Sequence, residues 1–151
     1  PDQARLYANF DPRTAPKYRQ EVAAICHDTQ HIEVGDMEIS KSGRLAYLRA
    51  MRDAGLVVCP RGNGLDTHRF YEALYVGAIP VVLRASYAAQ LARQLRLPHL
   101  TVGKWSDLRD LATLRLQAAK NVAWSERARN SPDSRNQCKA KVSRRETASS
   151  T

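Results

Sequence analysis

No stretch of this sequence approaches the roughly 20 consecutive apolar residues that a membrane helix requires. No basic start, apolar middle and small-residue cleavage site marks a secretory leader. Cysteine is scarce. Cys26, Cys59 and Cys138 are far apart, odd in number and form no C-x-x-C pair, which argues against both a zinc site and a disulfide framework. Cys59 closes an apolar run and reads most simply as a buried thiol. No Gly-Lys-Ser/Thr follows a glycine-rich loop, so the chain has no P-loop. There is no internal repeat and no RNA- or DNA-binding signature.

Acidic residues are also in the minority. Asp plus Glu is 15 against 24 for Lys plus Arg, and 24 − 15 gives +9. From Arg127 to the end there are seven basic and two acidic residues, or +5, which leaves 17 against 13, or +4, for everything before. A mild positive excess suits an anionic ligand without singling out nucleic acid. What is present is ordinary globular material: 43% hydrophobic and 26% charged residues in a chain of 151, enough for one domain with a core. The chain opens on Pro1 rather than Met and is expected to be part of something longer.

The pattern along the chain alternates. Arg5–Phe10 reads as a strand, and a helix with Pro16 near its start carries Val22, Ile25 and Cys26 on one face. His31–Val34 reads as a second strand, with a turn at Gly35-Asp36. A helix starting near Ser42 repeats Leu45, Leu48, Ala50, Met51 and Ala54 at helical spacing and ends at Gly55. Leu56–Cys59 and Ile79–Leu83 are wholly apolar, as in strands covered on both faces. Pro80 stands at the second residue of its strand, where a lost donor is best tolerated. A helix over Ala85–Leu95, a strand at Leu100–Val102 and a helix from Ser106-Asp107 to about Ala123 complete the pattern. The fold class is α/β: a Rossmann-like, open, mostly parallel sheet with helices on both faces. The domain is expected over residues 1–125. Residues 126–151 hold little apolar surface and form a basic tail expected to be disordered.

Chemistry concentrates between the two apolar strands. Open α/β sheets bind ligands beyond the carboxyl ends of their strands, where the loop Pro60–Leu65 falls. Gly62 and Gly64 allow close backbone approach and positive φ. Asp66 or Thr67 can cap the next helix, whose first N–H groups and dipole face the loop as an anion site. His68, Arg69 and Glu72, at i, i+1 and i+4, share a face near that helix start. Phe70, Ala73, Leu74 and Gly77 form the opposite, packed face. Arg69 can grip a diphosphate through paired donors, and Glu72 can accept hydrogen bonds from sugar hydroxyls. An Arg–Glu pair on a helix also reads as a surface salt bridge, the third glycine of a dinucleotide fingerprint is absent, and spacing by itself does not choose.

The whole string carries a resemblance. Cys59-Pro60-Arg61-Gly62-Asn63-Gly64, Leu65-Asp66, His68-Arg69-Phe70, Glu72-Ala73-Leu74 and Ile79-Pro80-Val81-Val82 resemble the nucleotide-sugar-binding signature of exostosin-like glycosyltransferases. LYANFDPRTAPKYR, YLRAMRDAGLVVCPRGNG and LTVGKWSDL are similar to flanking elements of the same family, so the resemblance spans about Arg5 to Leu111. Tyr71 stands where related sequences often carry Trp, and Ala78 where they often carry Cys. Both keep bulk or apolar character.

The resemblance implies the C-terminal, donor-binding half of a GT-B fold, with a missing N-terminal acceptor domain as partner. The substrates it implies are a nucleotide-sugar donor and a glycan or other hydroxyl acceptor. Arg69 would be the diphosphate contact and, with His68, a candidate catalytic residue. Arg61, Gly62, Asn63, Gly64, Asp66, Arg69 and Glu72 would line the donor. No metal and no cofactor beyond the nucleotide-sugar co-substrate are expected, and no D-x-D motif is present. Two other readings stand beside this one: a non-catalytic nucleotide- or phosphate-binding module, and a basic nucleic-acid-associated protein acting through its tail.

Overall fold

A computed structural model describes residues 4–36, 40–65 and 67–130. Five strands form one sheet: β1 (Arg5–Ala8), β2 (Ile32–Val34), β3 (Gly55–Val58), β4 (Ile79–Leu83) and β5 (Leu100–Val102). Their order is β2-β1-β3-β4-β5, and every pairing is parallel, with Leu6 beside both Ile32 and Leu56. Helices α1 (Pro16–Asp28), α2 (Lys41–Ala54), α3 (His68–Tyr75), α4 (Tyr87–Leu95) and α5 (Leu111–Asn130) make the crossovers and the C-terminal cover. The α/β, Rossmann-like open sheet expected from the sequence is the fold observed.

The apolar runs are explained by burial on both faces. Leu6, Leu56, Val58 and Val81 pack on one face against Val22, Ile25 and Cys26 of α1 and Leu114 and Ala118 of α5. Tyr7, Val57, Cys59 and Val82 pack on the other against Met51 and Ala54 of α2, Phe70 and Ala73 of α3, and Ala88, Ala89 and Ala92 of α4. Strand residues alternate between faces, so a strand covered on both sides must be apolar at every position. The chain moves one way from β1 to β2 and the other way from β3 to β5. Right-handed crossovers then put α1 and α3 on opposite faces.

Several boundaries differ from the sequence reading. Helix α2 starts one residue before Ser42, because Ser40 is its N-cap and accepts a hydrogen bond from Gly43 N at 2.9 Å. Gly55 ends it with φ +83°, as expected. Leu45, read as a core position, is exposed, and Tyr47 packs inward instead. The helix expected to begin at Ser106 is broken in two. Trp105–Arg109 forms a 3-10 turn, and α5 begins only at Leu111. Side chains cause the break. Asp107 accepts from Gly103 N and Lys104 N at 3.0 and 3.1 Å, and Asp110 accepts from Thr113 N at 3.0 Å. Helix α5 continues past Glu126 to Asn130; the rest of the basic tail lies outside the described residues.

Cys26 and Cys59 are buried. Burial pushes both thiols up to about 12, so at pH 8 both stay protonated and unreactive. Iodoacetamide should leave both unmodified in the folded protein and label both in denaturant, as read by peptide mass mapping. Labelling at the rate of a free thiol under native conditions would contradict the packing described here.

Candidate functional site

Strands β1 and β3 are neighbours whose following helices leave toward opposite faces. In an open parallel sheet this switch point leaves a crevice beyond the carboxyl ends of the strands. A groove of about 760 Å³ lies there. Its walls come from Thr14 and Arg19 after β1, from Gly62, Asn63, Gly64 and Leu65 after β3, from Thr67, His68, Arg69, Tyr71 and Glu72 around the start of α3, and from Tyr87 of α4.

Helix α3 is held by its apolar side. Phe70 and Ala73 are fully buried, and Leu74 packs against the same cluster. This turns His68, Arg69 and Glu72 together into the groove, as their spacing predicts. Gly77 is a correction: it is not part of the packed face. It is exposed in the turn after α3, with φ +81° and open space where a Cβ would stand. Its requirement is conformational, since left-handed backbone favours glycine. Thr67 occupies the N-cap position of α3, but its side chain does not cap. Asp66, the other expected cap and a candidate donor contact, lies outside the described residues.

Arg69 is half-buried. Its Nε is buried and has no hydrogen-bond partner among the described residues, and its guanidinium carbon lies 6.0 Å from the centre of the Phe10 ring. A buried donor left unpaired costs on the order of 1–3 kcal/mol, so its presence at a groove wall points to a partner that the described residues do not supply. Glu72 is not that partner. Its carboxylate accepts from Tyr47 Oη at 2.8 Å and from Arg44 Nη2 at 3.3 Å. The salt bridge that spacing left open therefore exists, but with α2 rather than with Arg69. Burial raises the Tyr47 phenol above its usual range, Arg69 opposes that, and the hydrogen bond to Glu72 raises it further. Tyr47 therefore stays a donor and aims Glu72 at all ordinary pH.

The loop residues divide. Gly62, Asn63 and Gly64 line the groove. Arg61 is not among the groove-lining residues. Its guanidinium stacks 4.4 Å from the centre of the Tyr18 ring, and its Nε donates to Gly64 O at 3.1 Å, bracing the loop from behind. Gly62 has no left-handed φ, so the positive φ expected of it is corrected. The glycine serves space instead: a Cβ there would stand 3.1 Å from Arg19 Nη2.

Arg19 was not singled out by the sequence. It sits in the first turns of α1, only 7% exposed. Its Nε donates to Arg61 O at 3.0 Å and its Nη1 to Asp11 O at 3.2 Å, tying the loop after β1 to the loop after β3. The one sequence signal available was a charged residue beside the apolar positions of α1, which also describes most surface arginines.

A groove at the switch point of a doubly wound sheet, lined by a glycine loop and by an arginine whose buried Nε has no partner among the described residues, lies where open α/β folds take their ligands. The family model of the exostosin GT47 domain matches residues 7–108, two thirds of the chain and all of the groove. The chain belongs to the exostosin GT47 family, a family of glycosyltransferases. No curated protein matches it significantly.

Proposed function

We propose that this chain is the donor-binding half of a GT-B glycosyltransferase, taking a nucleotide-sugar and passing its sugar to an acceptor hydroxyl on a glycan. The observation that carries this reading is Arg69, a guanidinium with an unpartnered buried Nε on the wall of the switch-point groove. In the reaction the acceptor oxygen forms a bond to the anomeric carbon as the bond from that carbon to the diphosphate oxygen breaks. The electron pair leaves with the diphosphate, and the acceptor proton passes to a base supplied by the facing acceptor half. Negative charge therefore grows on the diphosphate in the transition state, where fixed donors stabilise it most. Arg69 supplies paired donors there. His68, at the first turn of α3, adds a donor, and the dipole of α3 adds to the potential. Glu72, held by Tyr47 and Arg44, keeps lone pairs for ribose or sugar hydroxyls. Side-chain cations rather than a resident metal carry the neutralisation. Arg61 acts on the donor indirectly, by holding the loop.

Calorimetric titration with UDP, GDP and ADP tests this. Saturable one-to-one binding of at least one of them is expected, and it should survive truncation after Asn130, which removes the basic tail but keeps α5 whole. If no nucleoside diphosphate binds, the donor-site reading is lost. If binding vanishes on truncation and follows only bulk polyanions with a steep salt dependence, the tail is the interacting element instead.

A further inference from the structure

We propose that Arg19 is the second cation of this groove, and that it and Arg69 together take the two phosphates of a diphosphate. This assignment rests on the donor-site reading above and extends it to a residue from a different helix.

Two guanidiniums lie near one aromatic ring here. The Arg19 and Arg69 guanidinium carbons lie 5.8 and 6.0 Å from the centre of the same Phe10 ring. Neither makes a salt bridge among the described residues. The nearby Asp11 carboxylate is taken by Arg13 at 3.0 Å, and Arg19 reaches only the Asp11 backbone oxygen. Burial lowers the Arg19 guanidinium from its usual range, the charge of Arg69 lowers it further, and the Asp11 carboxylate only partly offsets the two. Buried like charges are costly unless a counter-charge arrives. A dianionic ligand provides it, and one phosphate per arginine matches a diphosphate better than a single carboxylate or a neutral sugar.

Arg19 has a structural duty as well, through Asp11 O and Arg61 O. Those two bonds use Nε and Nη1 and leave Nη2 without a partner among the described residues. Nη2 is the nitrogen that faces Gly62. The glycine is not demanded by its φ, so the space it leaves is for this nitrogen and for whatever Nη2 meets in the groove. A purely structural brace would need neither the second positive charge nor the open side.

The test compares inorganic pyrophosphate, inorganic phosphate and UDP by calorimetry at two salt concentrations. The full chain is used, as wild type and as Arg19→Met, Arg19→Lys, Gly62→Ala and Arg69→Met. Arg19→Met should weaken pyrophosphate and UDP by about tenfold or more, as for a lost charged hydrogen bond. It should lower the preference for pyrophosphate over phosphate and flatten the salt dependence. Arg19→Lys should recover part of the loss, because it restores a charge without the planar fork. Gly62→Ala should weaken pyrophosphate by displacing Nη2. A folded Arg19→Met that binds pyrophosphate with wild-type affinity overturns the assignment. Should Arg19→Met fail to fold, unchanged pyrophosphate binding in both Arg19→Lys and Gly62→Ala overturns it equally. If the wild type binds pyrophosphate but no nucleoside diphosphate, and Arg19→Met weakens that binding, the two-arginine site stands and the donor-site reading fails.

Discussion

Arg69→Met is expected to weaken nucleoside diphosphate binding by about 100-fold or more while leaving the melting temperature unchanged or raising it. The two effects have opposite signs for one reason. In the free protein Arg69 has a buried Nε with no partner among the described residues and a like charge nearby in Arg19. Removing it takes away an unsatisfied donor and a repulsion. Methionine keeps most of the aliphatic stem that packs along the groove wall, so little packing is lost. In the proposed complex the same guanidinium would meet the diphosphate, and a charged, forked hydrogen-bond donor to phosphate is among the strongest contacts a side chain makes. A residue kept for binding at some cost to the free fold should behave in this way; a structural arginine should do the reverse. Calorimetry and a thermal melt on the same sample decide between them. A folded Arg69→Met with wild-type affinity would sink the donor site, and a large fall in melting temperature would mean that Arg69 is a brace.

Phe70→Ala should be the most damaging single change to the fold among those considered. Phe70 is fully buried and stacks edge-on with Tyr71 at 5.4 Å between ring centres. Emptying such a site costs about 3–5 kcal/mol, from lost transfer energy and the cavity left behind. Domains of this size hold about 5–15 kcal/mol in total. The urea midpoint should fall by about 2 M at an ordinary denaturant slope, and Phe70→Leu should fall much less, since it keeps most of the volume. The effect reaches the site because α3 is short. Its eight residues cannot sustain a helix without packing, and Phe70 and Ala73 are its two buried anchors. Nucleotide affinity should drop with stability in Phe70→Ala, whereas it drops alone in Arg69→Met. A midpoint shift below about 0.5 M would contradict the anchoring role.

The part of the site legible in the sequence is the part built within one helical turn. His68, Arg69 and Glu72 share a face because i, i+1 and i+4 must do so on any helix, and Phe70 and Ala73 fix which way that face turns. The glycines were also visible, but not the reason at Gly62, where a Cβ would crowd Arg19 Nη2 from a helix far back in the chain. Glu72 was visible as an acceptor, but its holders Tyr47 and Arg44 lie on α2. The helix expected from Ser106 failed for a local reason that periodicity overlooks, because Asp107 and Asp110 each bond backbone N–H groups and divide the segment.

What the sequence by itself determined is therefore the inventory of local pieces. The apolar runs of β3 and β4 require cover on both faces. The turn of α3 presents one polar and one packed face, and the match over residues 7–108 identifies the family. Only the tertiary structure decided which pieces meet. Strand β1 pairs with β3 on one side and β2 on the other, and that order alone brings Phe10 and Arg19 to the loop that carries Gly62. The physical reason lies in range. Helix and strand periods are set by the backbone dihedrals of a few consecutive residues, whereas strand order is set by how amphipathic crossovers bury their faces across the whole sheet. Arg19 looked like any surface arginine in the chain, and came to share a groove with Arg69 only through the order of the strands.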